Sequence, residues 1–449
     1  MEAFADAPRA AVAGDGGRGA APAVAFVTLG CAKNEVDTAH MRARLAVEGF
    51  ALADDPARAD AVVVNTCSFI QEATEESLEA IFDVADLENV ASGAAKLVVA
   101  GCMPSRYGDD LAAELTEAAR FVPCAKEDDI ARVVADALGI ALPVGGAAGS
   151  GAFAASAPAS AYVKISDGCD RFCSYCTIPF IRGRYHSFPL ADIRAEVAAH
   201  VAAGTREIVL IAQDTGRWGT DFEHPSTLAD LVAALAEGFP DTWFRVMYLQ
   251  PEGVTDAYLD AVAAHPNVCP YFDIPLQHTD EGILRAMNRT GSRGEFMELA
   301  RRIRARVPGA TLRTTLIAGF PGETEAQFED VCAFVEESDF DYVGVFAYSR
   351  EDGTRAAEMD GQLDEDEKRE RAQRLRDVAD AVCVPRVAAR IGRELDVLVE
   401  GREEDGQLFG RAMCQAPDVD GVTYLERGQV GEVVRVTIAD ALLYEMEGA

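Results

Sequence analysis

Short apolar runs alternate with helical periods in the first third of the chain. Three runs of strand length cover residues 24–30, 61–65 and 96–101. Apolar positions with helical spacing cover residues 35–48 and, roughly, 73–86 and 109–120. Because strands that alternate with helices pair in parallel, this pattern predicts an α/β domain with a doubly wound parallel sheet.

A second alternating region follows residue 160. Its six apolar runs begin near Tyr162, Glu207, Phe244, Val268, Thr311 and Tyr342. Six βα units in series predict a partial (β/α)6 barrel, shorter than the full eight-unit form. A charged helix at about 364–387 closes this region.

The last sixty residues change to short strands with turn signals. The turns are expected at 400–401, 405–406, 420–421 and 426–428. This pattern predicts a small antiparallel β-barrel. The expected organisation is a disordered tail (1–22), an α/β domain (23–140), a linker (141–160), a central core (161–388) and the barrel (389–449).

Composition adds a strong charge bias. The 449 residues include 75 acidic and 41 basic side chains, which gives a net charge of −34. Such a chain repels nucleic-acid phosphates unless a local basic patch compensates, and it favours a cationic protein as partner. No apolar run reaches the roughly 18 residues of a membrane span, and the first residues lack a signal peptide's basic start, so a cytoplasmic location is expected.

Cys169, Cys173 and Cys176 form a C-x3-C-x2-C motif directly after a predicted strand. Three thiolates at this spacing can bind three corners of a [4Fe–4S] cluster and leave one iron open for chemistry. The alternatives are a zinc loop or buried thiols. Zinc prefers a fourth local Cys or His, and the nearest histidine is His186.

Cys31, Cys67 and Cys102 lie 36 and 35 residues apart, each near the end of a predicted strand. Because parallel strands place their carboxyl ends at one edge of a sheet, these thiols are expected to converge there and to hold a second cluster. Coincidental burial is the alternative. The other cysteines are interpreted as packing residues, and they are Cys124, Cys269, Cys332, Cys383 and Cys414.

Polar residues also fall where strands of the predicted core end. Gln213 and Asp214 follow the second strand, and Asp273, Gln277 and His278 follow the fourth. Such strand ends are where active sites form in barrels.

Arg313 interrupts an otherwise apolar strand. A buried guanidinium needs an anion, which is either a substrate or cofactor carboxylate or an internal Asp or Glu.

At these residues the chain resembles the radical S-adenosylmethionine (SAM) superfamily, whose signature is the motif of Cys169, Cys173 and Cys176. The resemblance implies that SAM binds the open iron and that its reductive cleavage gives a 5′-deoxyadenosyl radical, which abstracts hydrogen from a substrate. Residues 317–323 (IAGFPGE) resemble the adenine-side motif I-x-G-x-x-G-E, and Tyr175 occupies the aromatic position that approaches the adenine.

Two segments depart from the superfamily pattern. Thr315 stands where many members have Gly, and residues 211–215 (IAQDT) take the place of a Gly-Gly-Glu segment. The cofactor contacts expected from the motifs and from the strand-end residues are Tyr175, Gln213, Arg313, Ile317 and Gly319.

The domain order and several local motifs are similar to those of the methylthiotransferases, and in particular of the RimO family. The matching segments are 28–34 (TLGCAKN), 65–70 (NTCSFI), 211–215 (IAQDT), 271–278 (YFDIPLQH) and 288–292 (NRTGS). This resemblance implies a [4Fe–4S] cluster on each cysteine trio and a methylthio group inserted at the β-carbon of an aspartate in small-subunit ribosomal protein twelve. It identifies neither the electron-donor protein nor the sulfur source.

The charge of the C-terminal module favours a protein substrate over the adenosine in tRNA that related methylthiotransferases modify. Residues 392–449 contain five Arg, no Lys and thirteen Asp or Glu. A module with a net charge of about −8 binds RNA phosphates poorly, but it attracts a basic ribosomal protein. Three alternatives stay open at this point: an acidic surface that serves only solubility, a tRNA methylthiotransferase, and a non-catalytic iron–sulfur or zinc scaffold.

Overall fold

The computed structural model describes residues 21–143, 158–338 and 340–449. The described residues divide into two compact units, one formed by residues 21–143 with 180–183 and the other by the rest. Most of the predicted tail and of the predicted linker lies outside the described residues.

The first unit is built on a five-stranded parallel sheet in the order β2-β1-β3-β4-β5. Its strands are β1 (Ala23–Thr28), β2 (Ala51–Ala53), β3 (Ala61–Thr66), β4 (Lys96–Gly101) and β5 (Arg120–Pro123). Its helices are α1 (Ala32–Val47), α2 (Gln71–Ala85), α3 (Glu88–Ala91), α4 (Cys102–Glu114) and α5 (Ile130–Leu138).

Both faces of this sheet are covered, which confirms the prediction of a doubly wound domain. Every residue of β3 is buried, and successive side chains alternate between the two faces. Val63 packs with residues of α1 and α5 in one apolar cluster, whereas Val62 and Val64 pack with residues of α2 and α4 in another.

The prediction of a helix over 109–120 is wrong in its bounds. The helix begins at Cys102 and ends at Glu114, and β5 begins at Arg120 after a short turn. The apolar run in β5 covers only Phe121 and Val122 before Pro123, which is too short to produce a recognisable period.

The second unit begins with eight strands, six of which form its core sheets in chain order while the two shortest pair only with each other. They are β6 (Ser160–Lys164), β7 (Ser166–Asp167), β8 (His186–Ser187), β9 (Glu207–Ile211), β10 (Trp243–Val246), β11 (Tyr271–Asp273), β12 (Thr311–Ala318) and β13 (Tyr342–Ala347). The helices from here onward are α6 (Ile178–Ile181), α7 (Leu190–Ala203), α8 (Leu228–Gly238), α9 (Asp256–Ala264), α10 (Glu281–Ala286), α11 (Arg293–Arg306), α12 (Glu325–Glu337) and α13 (Glu365–Ala388).

Two parallel three-stranded sheets, β6-β9-β10 and β11-β12-β13, make up the core of this unit. A parallel bridge between Phe244 and Val268 links β10 to the segment that leads into β11. This arrangement confirms the predicted partial barrel of six strands, although the fourth strand begins at Tyr271 and not at Val268. The closing helix α13 was also predicted closely.

The C-terminal residues form a closed antiparallel barrel, as predicted, apart from one parallel pair. Its strands are β14 (Glu394–Arg402), β15 (Leu408–Ala412), β16 (Thr423–Leu425), β17 (Val433–Leu442) and β18 (Glu445–Gly448). The turn predicted at 400–401 is wrong, because both residues lie inside β14, where the pairing with β15 shifts register. Gly401 serves packing there, since a Cβ would lie 2.4 Å from the ring of Phe409.

Among the described residues, no helix combines the length and the apolar character needed to cross a membrane.

Candidate iron–sulfur and cofactor sites

The strand register of the first unit brings Cys31, Cys67 and Cys102 to one edge of the sheet. Thr66 of β3 pairs with Gly101 of β4, so the next residues, Cys67 and Cys102, are neighbours. Their thiols lie close enough to shift each other's pKa. Gly30, directly before Cys31, approaches so closely that an added Cβ would lie 2.5 Å from the Cβ of Cys67. The convergence expected from the sequence is therefore present.

Two buried asparagines fix the loops that carry these cysteines. Asn34 donates from Nδ2 to the carbonyls of Leu29 and Thr66, both at 2.9 Å. Asn65 donates from Nδ2 to the carbonyl of Asn34, also at 2.9 Å. Because each asparagine replaces missing strand hydrogen bonds, the strand ends keep a defined geometry after their pairing stops.

A fourth cysteine, Cys124, belongs to this edge although the sequence interpretation made it a packing residue. Gly101 pairs with Pro123 of β5, so Cys102 and Cys124 directly follow paired residues. The thiols of Cys102 and Cys124 lie close enough to shift each other's pKa. The signal was hidden because β5 was not predicted.

The pKa values of these thiols reflect their contacts. The hydrogen bond from Cys102 lowers the pKa of Cys67. The hydrogen bond from Cys124 acts to lower the pKa of Cys102, but the bond to Cys67 and burial outweigh it and leave that pKa at about 12. The hydrogen bond to Cys102 and burial raise the pKa of Cys124. In the geometry of the structure, the Cys102 thiol donates to Asn34 Oδ1 at 3.9 Å.

The C-x3-C-x2-C motif of the second unit forms a loop after β7. Within it, the backbone N–H of Cys176 donates to the carbonyl of Cys173 at 3.0 Å. The loop is held from outside by Asn288, whose Nδ2 donates to the carbonyls of Arg171 and Phe172 at 2.8 and 3.1 Å. Phe172 adopts a positive φ of 48°, and these two hydrogen bonds support that conformation.

Burial raises the pKa of Cys169 and raises that of Cys176 to about 12. Thiols in such surroundings become thiolates only when a positive metal compensates the charge. Over the described ranges, no three His, Cys, Asp or Glu side chains are placed to bind a single metal ion. The ligands of a single ion must surround one point, whereas the three cysteines of a cluster each bind a different iron and can lie farther apart.

Arg289 reaches the same loop and was not singled out from the sequence, although it lies in the quoted segment 288–292. Its Nη2 donates to the carbonyl of Pro275 at 2.7 Å, and its guanidinium interacts electrostatically with Cys173. The side chain therefore brings a fixed positive charge to the middle cysteine. Only the structure reveals this, because the residue lies more than a hundred positions away in the chain.

Gln213 and Asp214 lie beside this loop and carry buried polar atoms. Gln213 donates from Nε2 to Asp167 at 2.9 Å, and Asp214 accepts from the Nε of Arg171 at 2.6 Å. In the part of the chain that the structure describes, the Oε1 of Gln213 and the Oδ1 of Asp214 are buried without a hydrogen-bond partner. Because buried polar atoms are almost always satisfied, both are suited to a polar ligand.

Tyr175 and Ile317 lie together in an apolar cluster with Phe320, Tyr348 and Met287. Burial raises the pKa of Tyr175 well above its ordinary value, so its hydroxyl stays protonated. The structure therefore unites two of the predicted adenine-side residues next to the cysteine loop.

Gly319 has a different local function. Its φ is +79°, and a Cβ would lie 2.8 Å from the Cγ of Lys368. Its N–H donates to the carboxylate of Glu323, 3.1 Å from each oxygen. The last residue of the I-x-G-x-x-G-E motif thus closes the turn that the glycine begins.

Arg313 has internal partners. Its Nη1 lies 2.9 Å from Asp420 Oδ1 and its Nε lies 3.7 Å from Asp273 Oδ1. It shares a face of β12 with Ile317, but the two residues are about 13 Å apart at a strand rise of roughly 3.3 Å per residue. Of the two alternatives that the sequence left open, the structure contains the internal carboxylates.

His278 is completely buried between two polar neighbours. Its Nδ1 accepts from the N–H of Asp280 at 3.0 Å, so its Nε2 carries the proton and faces Glu323 Oε2 at 3.3 Å. Asp273 accepts from the N–H of Tyr248 at 2.9 Å. Asp273 is thus engaged at the strand ends, whereas the Nε2 of His278 is buried without a hydrogen bond among the described residues.

Family models match three parts of the chain. A family described as uncharacterized protein family UPF0004 matches residues 23–122, the radical SAM superfamily matches residues 163–335, and the TRAM domain matches residues 391–449.

Two relatives are similar over nearly the whole chain. Ribosomal protein uS12 methylthiotransferase RimO of Anaeromyxobacter sp. (strain K) is 44% identical over 430 residues, which cover 94% of this chain and 92% of that protein. The protein of the same name from Geobacter sulfurreducens is 42% identical and covers 95% of this chain and 98% of its own length.

A solved structure supports the fold. The radical SAM methyltransferase TsrM from Kitasatospora setae, with cobalamin and a [4Fe–4S] cluster bound, superposes with a TM-score of 0.51 at 15% identity. It covers 73% of this chain and 76% of its own.

Proposed function

Because the chain belongs to the RimO family of ribosomal protein uS12 methylthiotransferases, we propose that it transfers a methylthio group to the β-carbon of an aspartate in uS12. The observation that carries this proposal is the presence of two cysteine groups, one at the edge of the first unit's sheet and one in the loop after β7. Each offers three thiolates, which is the donor set that holds a [4Fe–4S] cluster with one open iron.

Cys169, Cys173 and Cys176 would hold the first cluster, and its open iron would bind SAM. The loop fits this group, because its buried thiols need a positive metal and because Arg289 supplies a further cation at Cys173. With SAM bound, this centre supplies a carbon radical, which is what an unactivated C–H bond without an acidic proton or leaving group requires.

The chain's own residues would hold SAM from two sides. Gln213 offers an acceptor oxygen suited to an ammonium group, and Tyr175 and Ile317 offer an apolar wall suited to an adenine. The same apolar cluster excludes water from the reacting centre, which protects a radical from side reactions. Gly319 supports this apolar wall because it forms the adjacent turn. Arg313 is not assigned to SAM, because its guanidinium is paired with Asp420 and Asp273.

Cys31, Cys67 and Cys102 would hold the second cluster, whose open iron would carry the sulfur. The fit rests on the register of β3 and β4, which places Cys67 beside Cys102, and on the close approach of Gly30, the residue before Cys31, to Cys67. Cys31 is exposed whereas Cys67 and Cys102 are buried, so this edge is open to solvent on one side.

The acidic barrel would bind the basic substrate protein. Eleven of the thirteen acidic side chains in residues 392–449 are exposed, against four of the five arginines. A surface of this sign repels RNA phosphates and speeds association with a basic protein. The proposed setting is the cytoplasm, where ribosomal proteins are found, with a protein electron donor.

Anaerobic product analysis tests the activity. The reconstituted protein is incubated with SAM, sulfide and a reductant, once with uS12 and once with tRNA, and the products are analysed by mass spectrometry. Methylthio-aspartate in uS12 is the expected product. Methylthio-adenosine alone would reject the proposed substrate, and iron without SAM cleavage would indicate a scaffold.

Cysteine variants test the division between the two groups. Cys173→Ala is expected to abolish 5′-deoxyadenosine formation, whereas Cys67→Ala is expected to retain some SAM cleavage and to lose sulfur transfer. Cys332→Ala, on α12, is the matched control and should keep both activities. Equal loss of both activities in Cys67→Ala and Cys173→Ala would contradict two separate functions.

A further inference from the structure

The first unit contains one more thiol at its sheet edge than a three-cysteine cluster uses. Cys31, Cys67, Cys102 and Cys124 follow β1, β3, β4 and β5, which are consecutive in the order of the sheet. With strands roughly 4.8 Å apart, the first and last of these strands are about 14 Å apart. A single small cluster that uses Cys31 therefore leaves Cys124 beside a ligand.

The position of Cys124 is fixed from its backbone. Its N–H donates to Ser105 Oγ at 2.8 Å, and Ser105 Oγ donates to the carbonyl of Gly101 at 3.0 Å. Ser105 lies in the first turn of α4, whose first residue is Cys102. Cys124 is thus held against the same turn that presents Cys102, and the strand register places it next to Cys102, close enough for Cys102 to raise the pKa of Cys124.

We propose that Cys124 is a positioning residue for the second cluster, and that its S–H donates a hydrogen bond to the sulfur of Cys102 when that sulfur is an iron ligand. The inference rests on the proposed second cluster. A ligand sulfur keeps lone pairs that can accept a hydrogen bond, and Cys124 is the neighbour on the side of Cys102 away from Cys67.

Hydrogen bonds to ligand sulfurs shift the reduction potential of an iron–sulfur cluster. A donor withdraws electron density from the sulfur and so stabilises the reduced cluster, which carries the more negative charge. Removing the donor is therefore expected to shift the potential of the second cluster to a more negative value.

The experiment uses the full chain with Cys169, Cys173 and Cys176 all changed to Ala, so that only the second cluster is observed. In this background, Cys124→Ala, Cys124→Ser and the control Cys332→Ala are reconstituted anaerobically and titrated with a reductant, and the reduced cluster is followed by EPR. The potential is expected to become more negative in Cys124→Ala, and to stay close to the parent value in Cys332→Ala and in Cys124→Ser, whose hydroxyl is still a donor.

Three results would overturn the inference. The first is an unchanged potential in Cys124→Ala. The second is an equal shift in Cys124→Ala and Cys124→Ser, and the third is loss of the cluster from both variants. The second and third results would show that the site requires the sulfur of Cys124 and not a hydrogen-bond donor. Loading of the cluster in Cys124→Ser but not in Cys124→Ala would support it, since the donor alone then restores the site.

A separate measurement distinguishes a donor from a fourth iron ligand. Added sulfide is expected to change the EPR spectrum of the parent protein, because an iron is open. A change that occurs only after Cys124→Ala would mean that Cys124 occupies that iron, which overturns the inference. If the parent protein carries no cluster at all, the proposed function fails before this inference is reached, so the two failures are distinguishable.

Discussion

Arg313 donates to Asp420 at 2.9 Å and thereby ties strand β12 of the core to the C-terminal barrel. The carboxylate of Asp420 is fully buried, and it also accepts from the hydroxyl of Tyr271 and from the N–H of Ala416. A residue that resembled a cofactor contact in the sequence is thus part of the interface within the second unit.

Replacement of Asp420 is expected to destabilise the second unit. Asp420→Asn leaves the guanidinium of Arg313 without its nearest carboxylate, and breaking a buried ion pair in this way costs about 3–5 kcal/mol. Chemical denaturation of the cluster-free protein measures the loss. Glu447→Gln, an exposed change in β18, is the control and should cost less than about 0.5 kcal/mol. Equal effects of the two variants would contradict the assignment.

Glu207 gives the same interface a pH dependence. Burial acts to raise the pKa of Glu207, but Arg411 and Arg245 outweigh it and hold that pKa at about 2. Because the folded-state pKa lies below the ordinary value, the stabilisation is complete above about pH 4.5 and is lost as the pH falls toward 2. Its size is about 3 kcal/mol at roughly 1.4 kcal/mol per pKa unit.

Glu207→Gln is therefore expected to be less stable than the parent chain near neutral pH, and the difference should shrink as the pH falls from about 5 to about 3. Denaturation of both proteins across this range measures it, with Glu447→Gln as the reference. A difference that stays constant with pH would show that the charge of Glu207 is not responsible.

Gln213 is expected to contribute to SAM binding through its unsatisfied Oε1. Gln213→Leu removes one hydrogen bond of about 1 kcal/mol, which corresponds to roughly 5–10-fold weaker binding of SAM. The dissociation constant is measured on the reconstituted protein, and the exposed Gln429→Leu is the control. Unchanged affinity in Gln213→Leu would remove this residue from the site.

The acidic barrel is expected to bind the basic substrate. Glu403, Glu404 and Asp405 are exposed in the turn between β14 and β15. Changing all three to Lys should raise the Michaelis constant for uS12 about fivefold at low ionic strength, with a smaller effect at high salt.

The control for net charge changes three exposed glutamates of α2, Glu75, Glu76 and Glu79, to Lys. The total charge then changes by the same amount at a different surface. If both triple variants raise the Michaelis constant equally, the effect comes from overall charge and not from docking on the barrel.

The sequence predicted most of the fold because long elements with clear periods dominate it. The prediction failed at β2 and β5, which have only three and four residues, and at Gly401, where a bulge and not a turn requires glycine. The failure at β5 also concealed Cys124, because a cysteine is interpreted through the strand that precedes it.

The candidate site was predicted as far as local motifs reach. The six cysteines of the two proposed clusters, Tyr175 and Ile317 could be named from spacing and resemblance. The contact of Arg289 with Cys173 and the pairing of Arg313 with Asp420 could not, since each joins residues more than a hundred positions apart whose proximity only the folded chain determines.

The most direct test of the account is an iron count on the anaerobically reconstituted chain and two triple variants. About eight irons are expected in the parent, four for each cluster. About four are expected when Cys31, Cys67 and Cys102 are changed to Ala, and about four when Cys169, Cys173 and Cys176 are changed. A parent that binds only about four irons, or one triple variant that keeps all of them, would contradict two independent three-cysteine clusters.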